Sequence, residues 1–265
     1  MILPVESQIK QYALITGASG GIGYELSEIM AKDGHNLILA ARNIEKLNEL
    51  SDNLNKKYNV EVVPFKVDLT SEEERTAFID NLRDNKYHVS ILMNNAGFGD
   101  AGCFAEANWT KTDRMIQLNV TAITHLTREL LPAMIDSGYG KILNIASIAG
   151  FLPGPYMSVY YASKSYVISF SAALREELKN TGVTVTALCP GPVQTNFFNF
   201  AGASESRLNT MMKPAEAKSV AYYGYKSMMK GKGRVVHGLL NKLMVFAINF
   251  IPAEVSNPIV KRLHT

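Results

Sequence analysis

Short apolar runs alternate with helical patterns along most of this 265-residue chain, and this alternation limits the possible folds more than any other feature. The apolar runs occupy residues 12–16, 36–40, 60–67, 89–93, 141–146 and 183–189. Leu, Ile and Met at helical spacing fill the segments 22–33, 44–57, 71–84, 111–136 and 159–180. Runs that are apolar throughout are typical of strands covered on both faces of a parallel sheet. The pattern therefore predicts an α/β fold with a doubly wound parallel sheet and helices on both faces.

Composition narrows the class of protein further. Apolar residues make up 47% of the chain, enough for a large core, and no repeat or linker divides it, so we expect a single domain over residues 1–265. The net charge of +3 is too small to indicate nucleic acid as a partner. Only two cysteines are present, which is typical of a reducing compartment and excludes a disulfide framework.

A glycine-rich turn follows the first predicted strand. The segment TGASGGIG places Gly17, Gly21 and Gly23 between that strand and the first helix, a spacing that differs from Gly-x-Gly-x-x-Gly because Leu26 stands at the last position. Gly17 permits a tight turn, Gly21 allows a pyrophosphate to approach the backbone, and Gly23 allows the helix to pack closely on the sheet. The turn indicates a dinucleotide site, although an ordinary strand–helix turn has a similar composition.

The end of the second strand bears on which dinucleotide binds. An acidic residue that would bind the ribose 2′-hydroxyl of NAD is missing between Asn36 and Ile44, and Arg42 stands in this segment instead. A guanidinium pairs with a 2′-phosphate through charge-assisted hydrogen bonds. The sequence therefore predicts NADP(H) rather than NAD(H), with a solvated loop arginine as the alternative.

Tyr160 and Lys164 lie four residues apart in a predicted helix and so share one face. The spacing alone is weak, because Tyr222 and Lys226 match it too. Ser147 distinguishes the first pair from the second. It ends the fifth predicted strand thirteen residues before Tyr160, at the edge where open α/β sheets place their ligands, and nothing comparable precedes Tyr222.

Together these motifs resemble those of the short-chain dehydrogenases/reductases, and the resemblance extends to about residue 195. The matching segments are TGASGGIG, Asp68 in VDL, NNAG at 94–97, Asn119 in LNV, the Ser147–Tyr160–Lys164 set and PGPVQT at 190–195. The resemblance implies a sheet ordered 3-2-1-4-5-6-7, with residues 234–238 as the last strand. It also implies a homodimer or homotetramer formed through the two long helices predicted at 111–136 and 159–180.

The resemblance also assigns residues to an NADP(H) site and to catalysis. The implied cofactor residues are Gly17, Ser19, Gly21, Ile22, Gly23, Arg42, Asp68, Leu69, Asn95, Ala96, Gly97, Tyr160, Lys164, Pro190, Gly191, Val193 and Thr195. The implied catalytic residues are Asn119, Ser147, Tyr160 and Lys164, and no metal site is predicted. For Asn119 the alternative is a structural role, in which its polar side chain hydrogen-bonds one helix to a neighbouring segment.

Carbonyl reduction needs a proton donor, and Tyr160 is expected to serve as one. A free phenol has a pKa of about 10, so we expect the Lys164 ammonium to lower the pKa of Tyr160 by roughly 2–3 units. Ser147 is expected to hydrogen-bond the substrate oxygen as negative charge develops there.

Three segments that follow strand ends, at 98–110, 148–158 and 194–213, are rich in aromatic residues and methionine. They favour a hydrophobic ketone or aldehyde as substrate, with residues 194–213 as a lid. One alternative is a 3-oxoacyl reductase acting on a carrier protein or coenzyme A thioester. Another is a non-catalytic NADP sensor or scaffold, which would not need an activated phenol.

The C-terminal quarter is basic and carries an extension, residues 238–265, with the apolar stretch LMVFAINFI at 243–251. From residue 211 onward, nine basic and two acidic side chains give +7, which leaves −4 for the rest. The stretch is too short to span a membrane, and without a signal peptide the predicted location is the cytoplasm. Attachment to an anionic lipid surface is one interpretation, but the sequence favours a helix packed over the core or the substrate pocket.

Overall fold

All of the strands described form one parallel sheet. The computed structural model describes residues 10–195, 197, 213–248, 250–251, 257–258 and 260–262. The strands are β1 (Gln11–Thr16), β2 (Asn36–Ala41), β3 (Val62–Lys66), β4 (His88–Asn94), β5 (Gly140–Ile145), β6 (Val183–Cys189) and β7 (Arg234–Val236). Their order in the sheet is β3-β2-β1-β4-β5-β6-β7, which confirms the predicted topology.

Helices cover both faces of the sheet. They are α1 (Gly21–Lys32), α2 (Ile44–Tyr58), α3 (Glu72–Asp84), α4 (Trp109–Ile116), α5 (Ile123–Asp136), α6 (Ser158–Glu177), α7 (Ala217–Met229) and α8 (Leu239–Ile248). Alternate residues of β1 face opposite ways: Ile15 packs with α1, α2 and α7, whereas Leu14 packs with α3, α5 and α6. Burial on both faces explains why the strands are apolar throughout.

The predicted helix over 111–136 is interrupted. A π-helical stretch, Gln117–Ala122, lies between α4 and α5 and contains the fully buried Asn119. A π-helical turn inserts one extra residue per turn and rotates the side chains around it. It thereby changes the direction in which Asn119 points without breaking the helical path.

The carboxyl ends of β1, β4, β5 and β6 meet at one edge of the sheet, because the strands are parallel. Each of these strands runs into a loop that carries predicted site residues, including Gly17, Asn95, Ser147 and Pro190. Short 3₁₀ helices follow at Phe104–Glu106 and Ile148–Phe151. The fold thus gathers residues from distant parts of the sequence at one edge.

The elements after β6 add a helix to one face of the sheet and a last strand, β7, to its edge. α7 packs against α1, and β7 leads into α8. Most of the predicted lid, residues 196 and 198–212, lies outside the described residues. Within the described part of the chain, no helix is both long and apolar enough to cross a membrane.

Candidate active site

Tyr160 and Lys164 lie on the buried face of α6, one helical turn apart, with 8% and 5% of their surface exposed. The Lys164 ammonium donates a hydrogen bond to the Ile145 carbonyl oxygen, with the Nζ–O distance 2.9 Å, at the end of β5. The same Nζ lies 5.8 Å from the centroid of the Tyr160 ring. The helix therefore brings a phenol and a cation together at the carboxyl edge of the sheet.

Ser147 joins this pair from the loop that follows β5. Its hydroxyl caps the 3₁₀ helix Ile148–Phe151, where it accepts a hydrogen bond from the Ala149 N–H over 3.1 Å. It also hydrogen-bonds the Tyr160 side chain, which lowers the pKa of the phenol. The structure thus places Ser147, Tyr160 and Lys164 together, as the sequence predicted.

The expected direction of the Tyr160 pKa shift is wrong for the protein chain by itself. Burial raises the pKa of Tyr160 to about 12, and the hydrogen bond with Ser147 opposes this rise only in part. Burial also lowers the pKa of Lys164 to about 8. The sequence argument placed the ammonium beside the hydroxyl, whereas Lys164 is engaged with Ile145 and lies beside the ring. Desolvation therefore outweighs charge–charge attraction here.

Asn119 connects the π-helical stretch to two neighbouring segments. Its Nδ2 donates to the Phe98 carbonyl oxygen over 2.8 Å and to the Ser163 hydroxyl over 3.1 Å, and its Oδ1 accepts from the Phe98 N–H over 3.1 Å. Both amide hydrogens and one lone pair of the oxygen are thus engaged with the protein. A Cβ added at Gly97 would lie 3.0 Å from Asn119 Oδ1 and 3.4 Å from Lys164 Nζ, so the amide and the ammonium are near neighbours.

The glycine-rich turn lies close to the loop that follows β4. Gly17 has φ +66°, and a Cβ there would lie 2.9 Å from Ala96 Cα. A Cβ on Gly23 would lie 2.3 Å from the Gly17 carbonyl oxygen, which fits its predicted packing role. Thr16, which the sequence analysis did not select, orients the opposite loop: its Oγ1 accepts from the N–H groups of Asn95 and Ala96, both over 3.0 Å.

A Cβ on Gly21 would meet the Thr195 methyl group at 2.9 Å, so this glycine lets the loop after β6 come close to the turn. The backbone lies open at Gly20, where a Cβ would find no atom within 4 Å. Gly20 is the N-cap residue of α1, and no side chain of the described residues caps that end. Free N–H groups at an open helix N-terminus fit an anionic ligand such as a pyrophosphate. Ser19 and Ile22 flank this opening and are half-buried.

Two of the implied cofactor residues, Arg42 and Asp68, are charged. Arg42 follows β2, is exposed, and forms no ion pair with any described residue. Asp68 is engaged: its carboxylate accepts from the Thr70 N–H and hydroxyl and pairs with Arg114 over 2.7 Å. Partial burial raises its pKa, but these partners together hold the pKa below the usual value. The neighbouring Leu69 is buried.

The loop after β6 completes the site. The Pro190 carbonyl oxygen accepts from the Ile148 N–H over 2.9 Å, so this loop is tied to the loop that carries Ser147. Gly191 packs against Asn241 of α8, and Val193 pairs with Ala215 in an isolated bridge. A phosphorylated dinucleotide would fit this arrangement. The N-terminus of α1 is open, Arg42 has no ion-pair partner among the described residues, and the loops after β5 and β6 lie side by side.

An apolar cluster surrounds Tyr160. Its members are Met115, Ala149, Met157, Tyr161 and Val260, with Phe98, Ala101, Leu152, Val159 and Phe197 partly buried against them. Other aromatic residues of the predicted substrate walls are not buried in this cluster: Phe104 and Trp109 are 63% and 70% exposed, and Phe151 packs in a separate cluster. Phe198 and Phe200 lie outside the described residues.

Comparisons with known proteins agree with this geometry. The chain is 31% identical over 252 residues to the very-long-chain 3-oxoacyl-CoA reductase of Mus musculus, which covers 90% of this chain and 76% of the relative. It is also 31% identical to the ketoacyl reductase HetN of a Nostoc species, over 94% of this chain and 80% of the relative.

Two solved structures resemble the fold. A short-chain dehydrogenase from Sphingobium yanoikuyae in complex with NADPH superimposes with a TM-score of 0.81 at 31% identity, covering 91% of this chain and 96% of the other. A bulky-bulky ketone specific alcohol dehydrogenase from Comamonas testosteroni gives a TM-score of 0.75 at 28% identity, covering 91% and 94%. The family model for short chain dehydrogenases matches residues 11–206. The family model thus matches well over half of the 265 residues, and the chain belongs to the short-chain dehydrogenase family.

Proposed function

We propose that this protein is an NADP(H)-dependent oxidoreductase that interconverts a carbonyl group and an alcohol. The observation that carries the proposal is the buried Ser147–Tyr160–Lys164 cluster beside an open helix N-terminus at the carboxyl edge of the sheet. A phenol, a hydroxyl and a cation buried together form an acid–base site within reach of a dinucleotide. A sensor or scaffold protein would not need this arrangement.

Tyr160 is the proposed proton donor in reduction and acceptor in oxidation. Because burial raises the pKa of Tyr160 to about 12, the phenol carries its proton at physiological pH. It can donate that proton efficiently only if the phenolate that forms is stabilised. The proposed role of Ser147 is to donate a hydrogen bond to the substrate oxygen, where negative charge develops. As the phenol releases its proton, the nearby Lys164 ammonium would stabilise the resulting phenolate.

Lys164 and Asn119 are proposed to support this proton transfer. Lys164 is held by Ile145, which leaves two of its three N–H bonds for a ribose or a water molecule. Asn119 fixes the Phe98 backbone beside Lys164 through three hydrogen bonds. Because both amide hydrogens of Asn119 are used in these contacts, we assign this residue a positioning role.

The proposed cofactor is NADP(H), which supplies or accepts the hydride when bound. Gly17, Gly21 and Gly23 shape the turn, Arg42 would pair with the 2′-phosphate, and Lys164 would hold the nicotinamide ribose. Asp68 pairs with Arg114 and can still accept a hydrogen bond from adenine, since a carboxylate has about four lone-pair sites. The NADPH bound to the Sphingobium relative supports this assignment.

The apolar cluster around Tyr160 favours a hydrophobic ketone or aldehyde as substrate. A second candidate is a 3-oxoacyl-coenzyme A thioester, because the mouse relative carries that activity in its name. The basic C-terminal quarter would suit the phosphates of coenzyme A. Both substrates present a carbonyl group to the same acid–base site, so the proposed chemistry is common to them.

We also expect a homodimer or homotetramer in a reducing compartment such as the cytoplasm. A shallow apolar groove of about 400 Å³ between α4 and α6, lined in part by Ile116, Val120 and Val159, supports a subunit contact along these helices. The two cysteines, Cys103 and Cys189, are both free thiols.

Replacing Tyr160 with Phe tests the reaction. The Tyr160→Phe variant should lose at least roughly a hundredfold in turnover, because the proton donor is gone, and should still bind NADPH. The assay follows NADPH oxidation with a panel of ketones, aldehydes and 3-oxoacyl-coenzyme A thioesters, while cofactor fluorescence measures binding. The preferred substrate class in this panel distinguishes the two candidates.

Tyr222→Phe is the matched control, since Tyr222 has the same spacing to a lysine but is 50% exposed on α7. This variant should keep full activity. Turnover by Tyr160→Phe at the parent's rate would refute the proposed role, and failure of the parent on every carbonyl compound would count against the reaction class.

A further inference from the structure

The outward face of α8 is apolar. Leu239, Leu240, Leu243, Phe246 and the following Phe250 are each between 58 and 75% exposed. At 100° per residue, the four that belong to α8 fall within an arc of about 120°, so they form one continuous stripe. The rings of Phe246 and Phe250 extend it, with centroids 5.1 Å apart. Monomeric proteins rarely leave a contiguous apolar surface of this kind in water.

The inward face of α8 is anchored to the catalytic edge of the sheet. Val245 is buried, and the Asn241 side chain packs on Gly191 in the loop after β6. Asn241 also donates to the His237 carbonyl oxygen over 2.8 Å, and α8 packs against the 3₁₀ helix that follows Ser147. The helix therefore packs inward through Val245 and Asn241 and presents leucine and phenylalanine outward, so only part of its apolar surface is covered, less than the sequence favoured.

Basic side chains lie on α8 and elsewhere at the same edge of the sheet. Lys242 is exposed on the flank of α8, and Lys261 and Arg262 are exposed in the C-terminal segment. That segment lies at the same edge, because Val260 is buried in the Tyr160 cluster and Lys261 Nζ lies 5.9 Å from the Tyr156 ring centroid. Among the described residues from 213 onward, Glu216 is the one acidic side chain.

We propose that the outward face of α8 docks on an anionic lipid surface. Its leucines and phenylalanines would enter the boundary between headgroups and acyl chains, and Lys242, Lys261 and Arg262 would meet the lipid phosphates. The docked face adjoins the loops around Ser147 and Tyr160, so the substrate entrance would face the bilayer. That last consequence rests on the proposed function, whereas docking itself does not.

A second copy of the chain is a weaker candidate for covering this face. A symmetric dimer would place the same surface of each copy against the other, and so would bring two sets of Lys242, Lys261 and Arg262 together. Like charges across an interface oppose association. An anionic membrane satisfies both the apolar stripe and the positive charges.

Vesicle sedimentation with the full-length protein tests the proposal. The protein should sediment with phosphatidylglycerol-containing vesicles, bind phosphatidylcholine vesicles much less, and be released by added salt. The double variant Leu243→Ser/Phe246→Ser should lower the partition coefficient roughly tenfold or more, because it removes two of the apolar anchors. Lys242→Gln should lower it about fivefold.

The matched controls lie at the opposite edge of the sheet. Ile135→Ser replaces an apolar residue that is 38% exposed at the end of α5, and Lys86→Gln replaces an exposed lysine before β4. Both should bind vesicles as the parent does. Circular dichroism establishes that every variant is folded, and the readout does not depend on activity.

Three results would overturn docking. They are a parent protein that stays in the supernatant with anionic vesicles, a double variant that binds as the parent does, and a stripe that mediates self-association instead. In the last case analytical ultracentrifugation without lipid would give an oligomer that Leu243→Ser/Phe246→Ser dissociates while vesicle binding is absent. A Phe250→Trp reporter in a Trp109→Phe background supplies a second measurement, since its fluorescence should shift to the blue on insertion.

Discussion

Lys164 is a cation held in the protein interior by one backbone hydrogen bond. Burial lowers its pKa to about 8, which still leaves it mostly protonated at neutral pH. Its ammonium is therefore available to a phenolate at Tyr160 or to a ribose hydroxyl when either is present. Burial, opposed only in part by the hydrogen bond with Ser147, accounts for the high pKa of Tyr160.

Arg42 gives the sharpest prediction on cofactor choice. Arg42→Asp should lower the ratio of NADPH to NADH efficiency by roughly ten- to a hundredfold, because it removes charge-assisted hydrogen bonds worth about 1.5–3 kcal/mol and adds repulsion of the 2′-phosphate. Steady-state kcat/KM with each cofactor measures the ratio.

Arg128→Asp on α5 is the control for this change, since Arg128 is a highly exposed arginine on a helix at the other face of the sheet. It should leave the ratio unaltered. If Arg42→Asp also leaves it unaltered, then Arg42 is an ordinary solvated loop residue.

At the residue scale, the sequence predicted which side chains meet but not how they ionise. The four-residue spacing of Tyr160 and Lys164 and the position of Ser147 were sufficient to bring the three together, because helix and sheet geometry fix those positions. Ionisation depends on burial by segments far away in sequence, such as Phe98 and Val260, and on Ile145 as the partner of the ammonium. No local pattern encodes those neighbours.

At the scale of elements, close packing of α1 on β1 sets the position of the helix N-terminus. Gly23→Ala should therefore destabilise the protein by roughly 1–3 kcal/mol, because its Cβ would lie 2.3 Å from the Gly17 carbonyl oxygen and force the helix outward. NADPH affinity should fall together with stability. Urea denaturation and cofactor titration measure the two effects.

Gly20→Ser is the matched control within the same turn. Gly20 has φ 177°, an extended conformation open to any residue, and a Cβ there meets no atom within 4 Å. Serine is also a favourable N-cap residue, so the variant should be as stable as the parent or slightly more stable. Equal stability losses in both glycine variants would contradict the packing argument.

Most helices and strands were predictable because the apolar residues of each element follow a single pattern, either helical spacing or a continuous apolar run. The π-helical stretch Gln117–Ala122 was not, since a single inserted residue leaves the apolar spacing of α4 and α5 almost unchanged. Its consequence is local but specific: Asn119 points into the space between Phe98 and Ser163. The outward face of α8 was equally hidden, because apolar residues dominate that segment and the sequence does not say which of them face water.

At the scale of the whole molecule, the sheet places its ligand-binding loops, the C-terminal segment and α8 at one edge. Strand order fixes this arrangement, and the apolar strand runs together with the family resemblance were enough to predict that order. The elements beyond β6 determine which surface surrounds the entrance. Those elements pack through side-chain contacts such as Asn241 on Gly191, which no periodicity predicts.

Conformational stability should reveal the cost of the buried cation at Lys164. Because its pKa is lower in the folded than in the unfolded chain, the charged form is penalised by about 3 kcal/mol below about pH 8, and the penalty disappears as pH rises toward about 10.5. Lys164→Met should therefore be inactive yet more stable than the parent by roughly 1–2 kcal/mol near neutral pH, after the unpaired Ile145 carbonyl is counted. The stability difference should fall by about 2–3 kcal/mol between about pH 7 and pH 10, so that Lys164→Met becomes less stable than the parent at the alkaline end. Urea denaturation measures the difference. Lys86→Met should differ from the parent by an amount that does not change with pH. A constant difference for Lys164→Met would mean that Lys164 is solvated or paired in solution, and that the electrostatic account of the site is wrong.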